Sequence, residues 1–125
     1  MIQKVLMIGF AGALGTLARY GMAGAVQRLA GTSFPWGTVV VNIAGCFLAG
    51  LLWSLLDKKI HLDHGLRLAL FIGFMGAFTT FSTFILETGH LVRQDAWLHA
   101  GANLMLQNVI GLCSLAVGLS LGKSV

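Results

Sequence analysis

Charged residues are scarce in this sequence. Only 10% of its 125 residues are Asp, Glu, Lys or Arg, whereas a soluble domain carries about a quarter. Hydrophobic residues make up 57%, and the mean hydropathy is +0.86. This balance excludes an ordinary soluble domain and predicts an integral membrane protein with nearly all of its chain in the bilayer. The net charge of +4 then belongs to loops and helix ends and does not indicate a nucleic-acid surface.

Cysteine and proline are also rare. Cys46 and Cys113 lie in apolar segments without a CxxC pattern, which predicts small buried side chains rather than metal ligands or a disulfide. The single proline, Pro35, precedes a long apolar run and suits the start of a helix. The sequence has no nucleophile–base pair, no convincing metal-ligand spacing among its histidines and no phosphate-binding loop, so we expect no enzyme.

Four apolar segments are long enough to cross a bilayer, because a spanning helix needs about 20 residues. They run approximately over residues 5–26, 36–56, 66–92 and 97–121. The connections between them are short and polar. We therefore predict an all-α membrane protein with a single four-helix transmembrane domain over residues 1–125, and with both termini on the same side.

The third segment contains a cluster of hydroxyl side chains. Four of the five residues from Thr79 to Thr83 carry a hydroxyl, and Phe78, Phe81 and Phe84 flank them at a spacing of three. Hydroxyls buried in lipid need partners, and β-branched and hydroxyl side chains compete with helical hydrogen bonding. We therefore expect the third helix to be broken near its middle, with backbone groups facing something polar.

The same segment carries a phenylalanine series and one carboxylate. The phenylalanines follow steps of three and four, which predicts a single helical face: Phe71, Phe74, Phe78, Phe81 and Phe84. Such a stripe is usually a packing surface. Glu87 is the only carboxylate deep in a predicted span. It is either a functional group or a paired structural one, and the residues alone leave both open.

Isolated polar residues occur in the other segments. Arg19 either snorkels to the interface or lines a vestibule that attracts anions. Thr38 and Asn42 share one face of the second segment, where Asn42 is either an interhelical contact or a donor to a permeating species. The fourth segment has a polar track made of Asn103, Gln107, Asn108 and Ser114. The track is either a hydrogen-bonded seam between helices or a route for a small ion.

Glycines mark the expected helix contacts. Gly9, Gly12 and Gly15 form a small-residue face on the first segment, and Gly118 and Gly122 form a GxxxG pattern near the end of the fourth. Small residues let membrane helices approach closely. We therefore expect both faces to pack against other helices.

Positive residues orient the chain only weakly. One predicted side carries Lys4, Lys58, Lys59, Arg67 and Lys123. The other carries Arg19, Arg28 and Arg93. A difference of five against three sets the orientation poorly, so such a chain can insert both ways. Four helices leave little room for a path of their own, and transport would therefore favour a homodimer or a larger assembly.

Three motifs resemble the small bacterial fluoride channels of the Fluc or CrcB family. Phe34–Thr38, with Asn42 four residues on, is similar to the start of that family's second helix. Gly76–Phe84, followed by Glu87, resembles the signature in its third helix, and Arg19–Tyr20 fits as well. The resemblance covers the whole chain. It implies a fluoride-selective passive channel of the bacterial inner membrane, which exports cytoplasmic fluoride and gives fluoride resistance.

The resemblance also implies an antiparallel dual-topology homodimer with two fluoride pores along the subunit interface. Phe81 and Phe84 would offer ring edges to the anion, and Asn42 would donate a hydrogen bond. A structural Na⁺ at the dimer centre would be held by the backbone carbonyls of Gly76 and Thr79 from both subunits. The other candidate pore residues are Thr38, Ser82, Thr83, Gln107, Asn108 and Ser114, with Arg19 in the vestibule.

Two other functions fit a chain of this size. A proton-coupled small multidrug exporter shares the four-helix plan, but it needs a carboxylate deep in its first helix, and this first segment has none. A non-transporting membrane assembly subunit would use its polar residues only as interhelical contacts. The partners expected from the preferred interpretation are fluoride, the lipid bilayer and a second copy of the chain, without nucleic acid.

Overall fold

Four long helical spans make up the chain in a computed structural model that describes residues 1–58 and 60–124. They are Ile2–Ala30, Trp36–Asp57, His64–Arg93 and Trp97–Ser124, here called the first helix, second helix, third span and fourth span. Each is long and apolar enough to cross a membrane, which confirms the all-α prediction with four spans. Lys59, which the charge comparison includes, and the last residue of the predicted domain lie outside the described residues.

The first helix ends later than its apolar segment predicts. It continues to Ala30, so that Gln27 lies in its last turns. Gln27 Nε2 donates to the carbonyl oxygens of Gly31 and Phe34, and its Oε1 accepts the Gly37 N–H at 3.0 Å. Gly31 has φ 87°, a conformation that favours glycine and ends the helix. One amide side chain therefore ties the first helix to the start of the second.

The third span is helical on both sides of two extended residues. Its first half contains α-helical, π-helical and again α-helical turns over His64–Leu68, Ala69–Met75 and Gly76–Phe78. Thr79 has φ −93° and ψ 162°, and Thr80 has φ −151° and ψ 121°. The second half is the α-helix Phe81–Arg93. Extended residues cannot continue the i→i−4 hydrogen-bond ladder, so Thr79 and Thr80 interrupt it.

The fourth span contains a single π-helical segment. It runs as Trp97–Met105, then the π-helical Leu106–Ile110, then Gly111–Ser124. A π-helical turn adds a residue to the helical repeat and so rotates the side chains that follow it. Gln107 and Asn108 both lie within this turn.

The second helix and the fourth span pack through glycine. A Cβ atom on Gly118 would overlap the Phe47 carbonyl, and one on Gly122 would meet Ser54. A Cβ on Gly50 would overlap the Leu115 carbonyl from the other side. Backbones approach this closely only where side chains are absent. The contact predicted for Gly118 and Gly122 is therefore confirmed.

Glycine also brings the first helix against the third span. A Cβ on Gly15 would overlap the Phe74 carbonyl, and one on Gly73 would lie 2.7 Å from the Ile8 carbonyl. Gly9 has no neighbouring atom within 4 Å among the described residues, so its predicted contact is wrong. The contact face runs through Ile8 and Gly15, and Gly9 is rotated about 100° from Ile8.

The phenylalanines of the third span do not share one face. Their rings make separate contacts: Phe71 with Trp53, Phe74 with Phe78, and Phe81 with Phe84. The π-helical turns and the two extended residues change the register between these contacts, so the predicted stripe is wrong. Phe71, Phe81 and Phe84 line one groove, whereas Phe74 and Phe78 do not.

Much apolar surface remains uncovered by the chain itself. Only 6% of the apolar window of the first helix is buried. Cys46 is half-buried but Cys113 is exposed, so the prediction of two buried cysteines is wrong for Cys113. The fourth span packs through Ser114 and Gly118, and Cys113 is rotated about 100° from Ser114. Exposed apolar surface of this extent is typical of contact with lipid or a partner.

Candidate functional site

Asn42 on the second helix bonds to both backbone groups of Thr80. Its Oδ1 accepts the Thr80 N–H at 2.8 Å, and its Nδ2 donates to the Thr80 carbonyl at 2.8 Å. Thr80 also caps the second half of the third span, because its Oγ1 accepts the Thr83 N–H at 3.3 Å. These bonds replace the partners that a continuous helix would have given this backbone. The second helix thereby holds the interruption of the third span in place.

Two carbonyl groups at the interruption lose their usual helical donors. In an α-helix the Gly76 carbonyl would accept the Thr80 N–H, and the Thr79 carbonyl would accept the Thr83 N–H. Here Thr80 N–H bonds to Asn42 and Thr83 N–H bonds to Thr80 Oγ1. The carbonyls of Gly76 and Thr79 are the predicted cation ligands, and hard cations prefer oxygen ligands. The donor set present here fits such a cation.

A chain of hydrogen bonds runs from Asn42 through the fourth span and back to the third. Asn42 Nδ2 also donates to Gln107 Oε1. Gln107 Nε2 donates to Asn103 Oδ1 at 2.9 Å, and Asn103 Nδ2 donates to Thr88 Oγ1 at 2.9 Å. Thr88 in turn donates to the Phe84 carbonyl at 2.8 Å. Asn103 is 0% exposed, so both ends of its amide are satisfied entirely inside the protein.

The predicted polar track of the fourth span divides into separate parts. Asn103 bonds to the third span and Gln107 to the second helix, and both belong to the chain of hydrogen bonds just described. Asn108 is exposed and donates to a carbonyl of its own helix at 2.8 Å. Ser114 donates to the Ile43 carbonyl of the second helix at 3.1 Å. Asn103 and Gln107 therefore join a seam between helices, Ser114 joins another, and Asn108 remains at the surface.

A groove of about 460 Å³ runs beside the interruption. Its lining combines aromatic rings with polar groups: Phe81, Phe84, Asn42, Gly76, Thr79, Gln107 and Asn108. Phe81 is 72% exposed and Phe84 is 3% exposed. Their rings meet edge to face with centroids 5.6 Å apart. One ring is thus fixed inside the chain while its neighbour projects from the surface.

A second groove of similar volume lies on the other side of Thr80, which lines both grooves. Arg19, Thr38, Thr83 and Glu87 contribute to its wall. Thr38 Oγ1 donates to Glu87 Oε1 at 2.7 Å. Glu87 Oε2 is buried and has no hydrogen-bond partner within the described part of the chain. One carboxylate oxygen of Glu87 is therefore paired and the other is not, in a groove whose wall also includes Arg19.

Sequence reasoning did not single out Thr80 or Thr88. Thr80 is a helix cap, and a Thr just before a helical run is a recognisable start signal. Thr88 has no such signal, because a Thr in a helix interior usually bonds to the carbonyl four residues earlier, as this one does. Ser82, a predicted pore residue, is exposed on the outer surface of the chain.

The comparisons with known proteins agree over the full chain. The family model described as "CrcB-like protein, Camphor Resistance (CrcB)" matches residues 6–119. A protein of Desulforapulum autotrophicum named fluoride-specific ion channel FluC is 51% identical over 125 residues, covering 100% of both chains. Proteins of the same name from Solidesulfovibrio magneticus and Nitrosococcus oceani are 49% and 46% identical, also over 100% of both chains. The resemblance inferred from the motifs is confirmed, and the chain belongs to the CrcB family.

Proposed function

We propose that this chain is a fluoride-selective passive ion channel that exports cytoplasmic fluoride and gives fluoride resistance. Relatives up to 51% identical over the whole chain are named fluoride-specific ion channels. Within the structure, one observation carries the proposal: Phe81, Phe84 and Asn42 line a common groove at the interruption of the third span. Such a groove supports passage of an ion rather than an enzymatic reaction.

The groove offers a small anion several weak contacts. An aromatic ring has a positive edge, so Phe81 and Phe84 can face an anion edge-on. Amide and hydroxyl donors then replace part of the lost hydration, and weak, multiple sites allow the ion to leave again. One Asn42 N–H bonds to the Thr80 carbonyl, so the N–H that bonds to Gln107 Oε1 is the one left to be shared with an anion. Thr83 and Asn108 complete the donors that line the two grooves. Donation by Ser82 and Ser114 stays a prediction, because neither lines these grooves and the Ser114 hydroxyl donates to the Ile43 carbonyl.

The working unit in this proposal is an antiparallel homodimer of two copies with opposite orientations. Phe81 is 72% exposed although it is a large aromatic side chain beside buried polar groups. A second copy laid against the third span would cover this ring and turn the open groove into a closed path. The small imbalance of positive residues supports insertion in both orientations.

A structural Na⁺ at the dimer centre is part of the proposal. The Gly76 and Thr79 carbonyls would hold it, because their usual donors bond elsewhere. When bound, the cation supplies a fixed positive charge that raises the local potential for anions. Two copies of the interruption together would provide about four carbonyl oxygens, the ligand type that hard cations prefer.

The second groove is the proposed vestibule of the path, in a multi-pass protein of the bacterial inner membrane. Arg19 there would attract anions towards the interruption. Thr38 keeps one carboxylate oxygen of Glu87 paired.

Fluoride efflux from liposomes tests the proposed function. Purified protein is reconstituted into liposomes loaded with potassium fluoride, a K⁺ ionophore is added, and a fluoride electrode follows the release. We expect rapid release from protein-containing liposomes and none above background from empty ones. Liposomes loaded with potassium chloride are the matched control and should retain their chloride. Equal release of both anions would contradict selectivity, and no fluoride release would reject the channel.

A further inference from the structure

We infer that Asn42 is a positioning residue that keeps the proposed cation site open by holding the Thr80 N–H away from the Gly76 carbonyl. The inference rests on the proposed function, because the cation is part of that proposal. It concerns a different property of Asn42 from hydrogen-bond donation to an anion. The acceptor atom Oδ1 does the positioning, whereas only Nδ2 can meet an anion.

The first step is the competition for one N–H group. A continuous helix would place the Thr80 N–H on the Gly76 carbonyl. In the structure this N–H lies 2.8 Å from Asn42 Oδ1. The same side chain holds the Thr80 carbonyl at 2.8 Å, so Thr80 is fixed at both backbone groups in its extended conformation. Without Oδ1, helix formation would satisfy the N–H and the Gly76 carbonyl together.

The second step concerns which way round the Asn42 amide lies. The Thr88 hydroxyl has one proton and donates it to the Phe84 carbonyl, so in its bond with Asn103 the Thr88 oxygen must accept from Nδ2. Asn103 Oδ1 then accepts from Gln107, whose Oε1 is left to accept from Asn42 Nδ2. This leaves Asn42 Oδ1 facing the Thr80 N–H. The Thr88 hydroxyl therefore determines the direction of every bond in the chain. If the Asn42 amide were reversed, its Nδ2 would face the Thr80 N–H, donor against donor.

The experiment measures cation binding separately from fluoride flux. Thermal unfolding of the purified protein in detergent is followed over a range of Na⁺ concentrations, with N-methylglucamine keeping ionic strength constant. We expect the unfolding temperature of the unchanged protein to rise with Na⁺ to a plateau. In Asn42→Leu the half-saturating Na⁺ concentration should increase about tenfold or more, as expected when a hydrogen bond that orders a ligand is lost. Asn42→Asp keeps an acceptor for Thr80 N–H, so it should saturate at the same or lower Na⁺ concentration.

Two controls separate positioning from general damage. Ser120→Ala removes an exposed hydroxyl that bonds within its own helix turn, and it should titrate like the unchanged protein. Thr88→Val should weaken Na⁺ binding in the same direction as Asn42→Leu, and Thr88→Ser should restore it, because only the hydroxyl sets the bond direction. If Asn42→Leu does not fold, the comparison of Thr88→Val with Thr88→Ser still tests the inference.

The outcomes distinguish the inference from the proposed function. If the unchanged protein responds to Na⁺ and Asn42→Leu responds equally, the positioning role of Asn42 is wrong while the cation site stands. Weak Na⁺ binding in Asn42→Asp would also overturn it, because an acceptor would then not be sufficient. If the unchanged protein shows no Na⁺ response, the proposed cation fails, and the inference fails with it. Both Asn42 variants should lose fluoride flux, so flux alone cannot produce this pattern.

Discussion

The two ends of the second helix contact the third and fourth spans by different means. Towards its C-terminal end the helix packs backbone to backbone, with Gly50 against the Leu115 carbonyl and Gly118 against Phe47. Towards its N-terminal end Thr38 and Asn42 make directional hydrogen bonds to the third and fourth spans. The first contact tolerates no added atoms, whereas the second tolerates no missing donor or acceptor. One helix thus contains a packing end and a bonding end.

The difference shows where small-residue packing and where polar hydrogen bonds hold together a chain with so few polar residues. Small-residue packing requires no polar group, so it can hold regular helices together anywhere in the bilayer. The extended backbone of Thr79 and Thr80 needs partners, and Asn42 supplies them to Thr80. The bonding end is therefore where irregular backbone and the candidate site occur together.

The largest effect is expected at the packing end. Gly118→Leu places a side chain where even a Cβ would overlap the Phe47 carbonyl, so the second and fourth spans must separate. We expect a loss of about 3 kcal/mol in the free energy of unfolding, near the upper end for overpacked sites. Thermal unfolding and the yield of folded protein measure it. Gly101→Ala is the matched control on the same span, since nothing lies within 4 Å of its Cβ position. Equal stability of the two variants would refute the packing role.

The next effect breaks the bonding end. Asn103→Leu removes the donor to the Thr88 oxygen and leaves the Gln107 Nε2 without its acceptor, at a position that is 0% exposed. Each buried polar group left unpaired costs about 1–3 kcal/mol, so we expect about 2 kcal/mol in total after relaxation. Asn108→Ala, which removes an exposed amide, should change the unfolding temperature little. Similar losses in both variants would mean that burial does not determine the cost.

These two ends differ in how far the sequence alone predicts them. Four spans, the contacts of Gly118 and Gly122 and the shared face of Thr38 and Asn42 follow from hydropathy and spacing, because they depend on regular helices. The hydroxyl run from Thr79 to Thr83 also predicted an irregular third span. The sequence could not predict contacts that depend on departures from regular α-helical geometry or on how the spans are rotated against each other.

The π-helical turns account for part of what the sequence could not predict. Hydrophobic periodicity assumes 3.6 residues per turn, so the wider π-helical turn over Leu106–Ile110 cannot be recognised in the sequence. The polar track was predicted to follow one side of the helix, although neighbouring residues lie about 100° apart: Gln107 meets Asn42, while Asn108 is exposed. The partnership of Asn103 with Thr88 was missed for a related reason: it joins two spans whose relative rotation only the fold determines. The roles of the site residues in ion passage remain predictions.

A third prediction asks whether transport also depends on the aromatic rings of the third span that lie beside the bonding end. Phe81→Ile should reduce fluoride efflux about tenfold or more, because an aliphatic side chain lacks the positive ring edge that meets the anion. Stability should change little, since Phe81 is 72% exposed in the chain. Phe10→Ile is a matched control, because Phe10 is 70% exposed on the first helix, away from the groove. Phe84→Ile should also reduce efflux, but with a loss of stability because that ring is buried. Normal efflux in both variants would remove these rings from the path.

The smallest effect is expected at the proposed vestibule. Arg19→Gln removes a positive charge from the groove that adjoins Thr80, and the local fluoride concentration should fall with the potential. We expect fluoride efflux to fall about twofold at low ionic strength and the difference to disappear at high salt, where exposed charges are screened beyond a few ångströms. Arg28→Gln, on the exposed last turn of the same helix, should have no such effect. A reduction that does not depend on salt would show that Arg19 acts through packing instead. Arg19 would then stabilise helix packing, as the glycine contacts do, and it would not attract anions towards the bonding end.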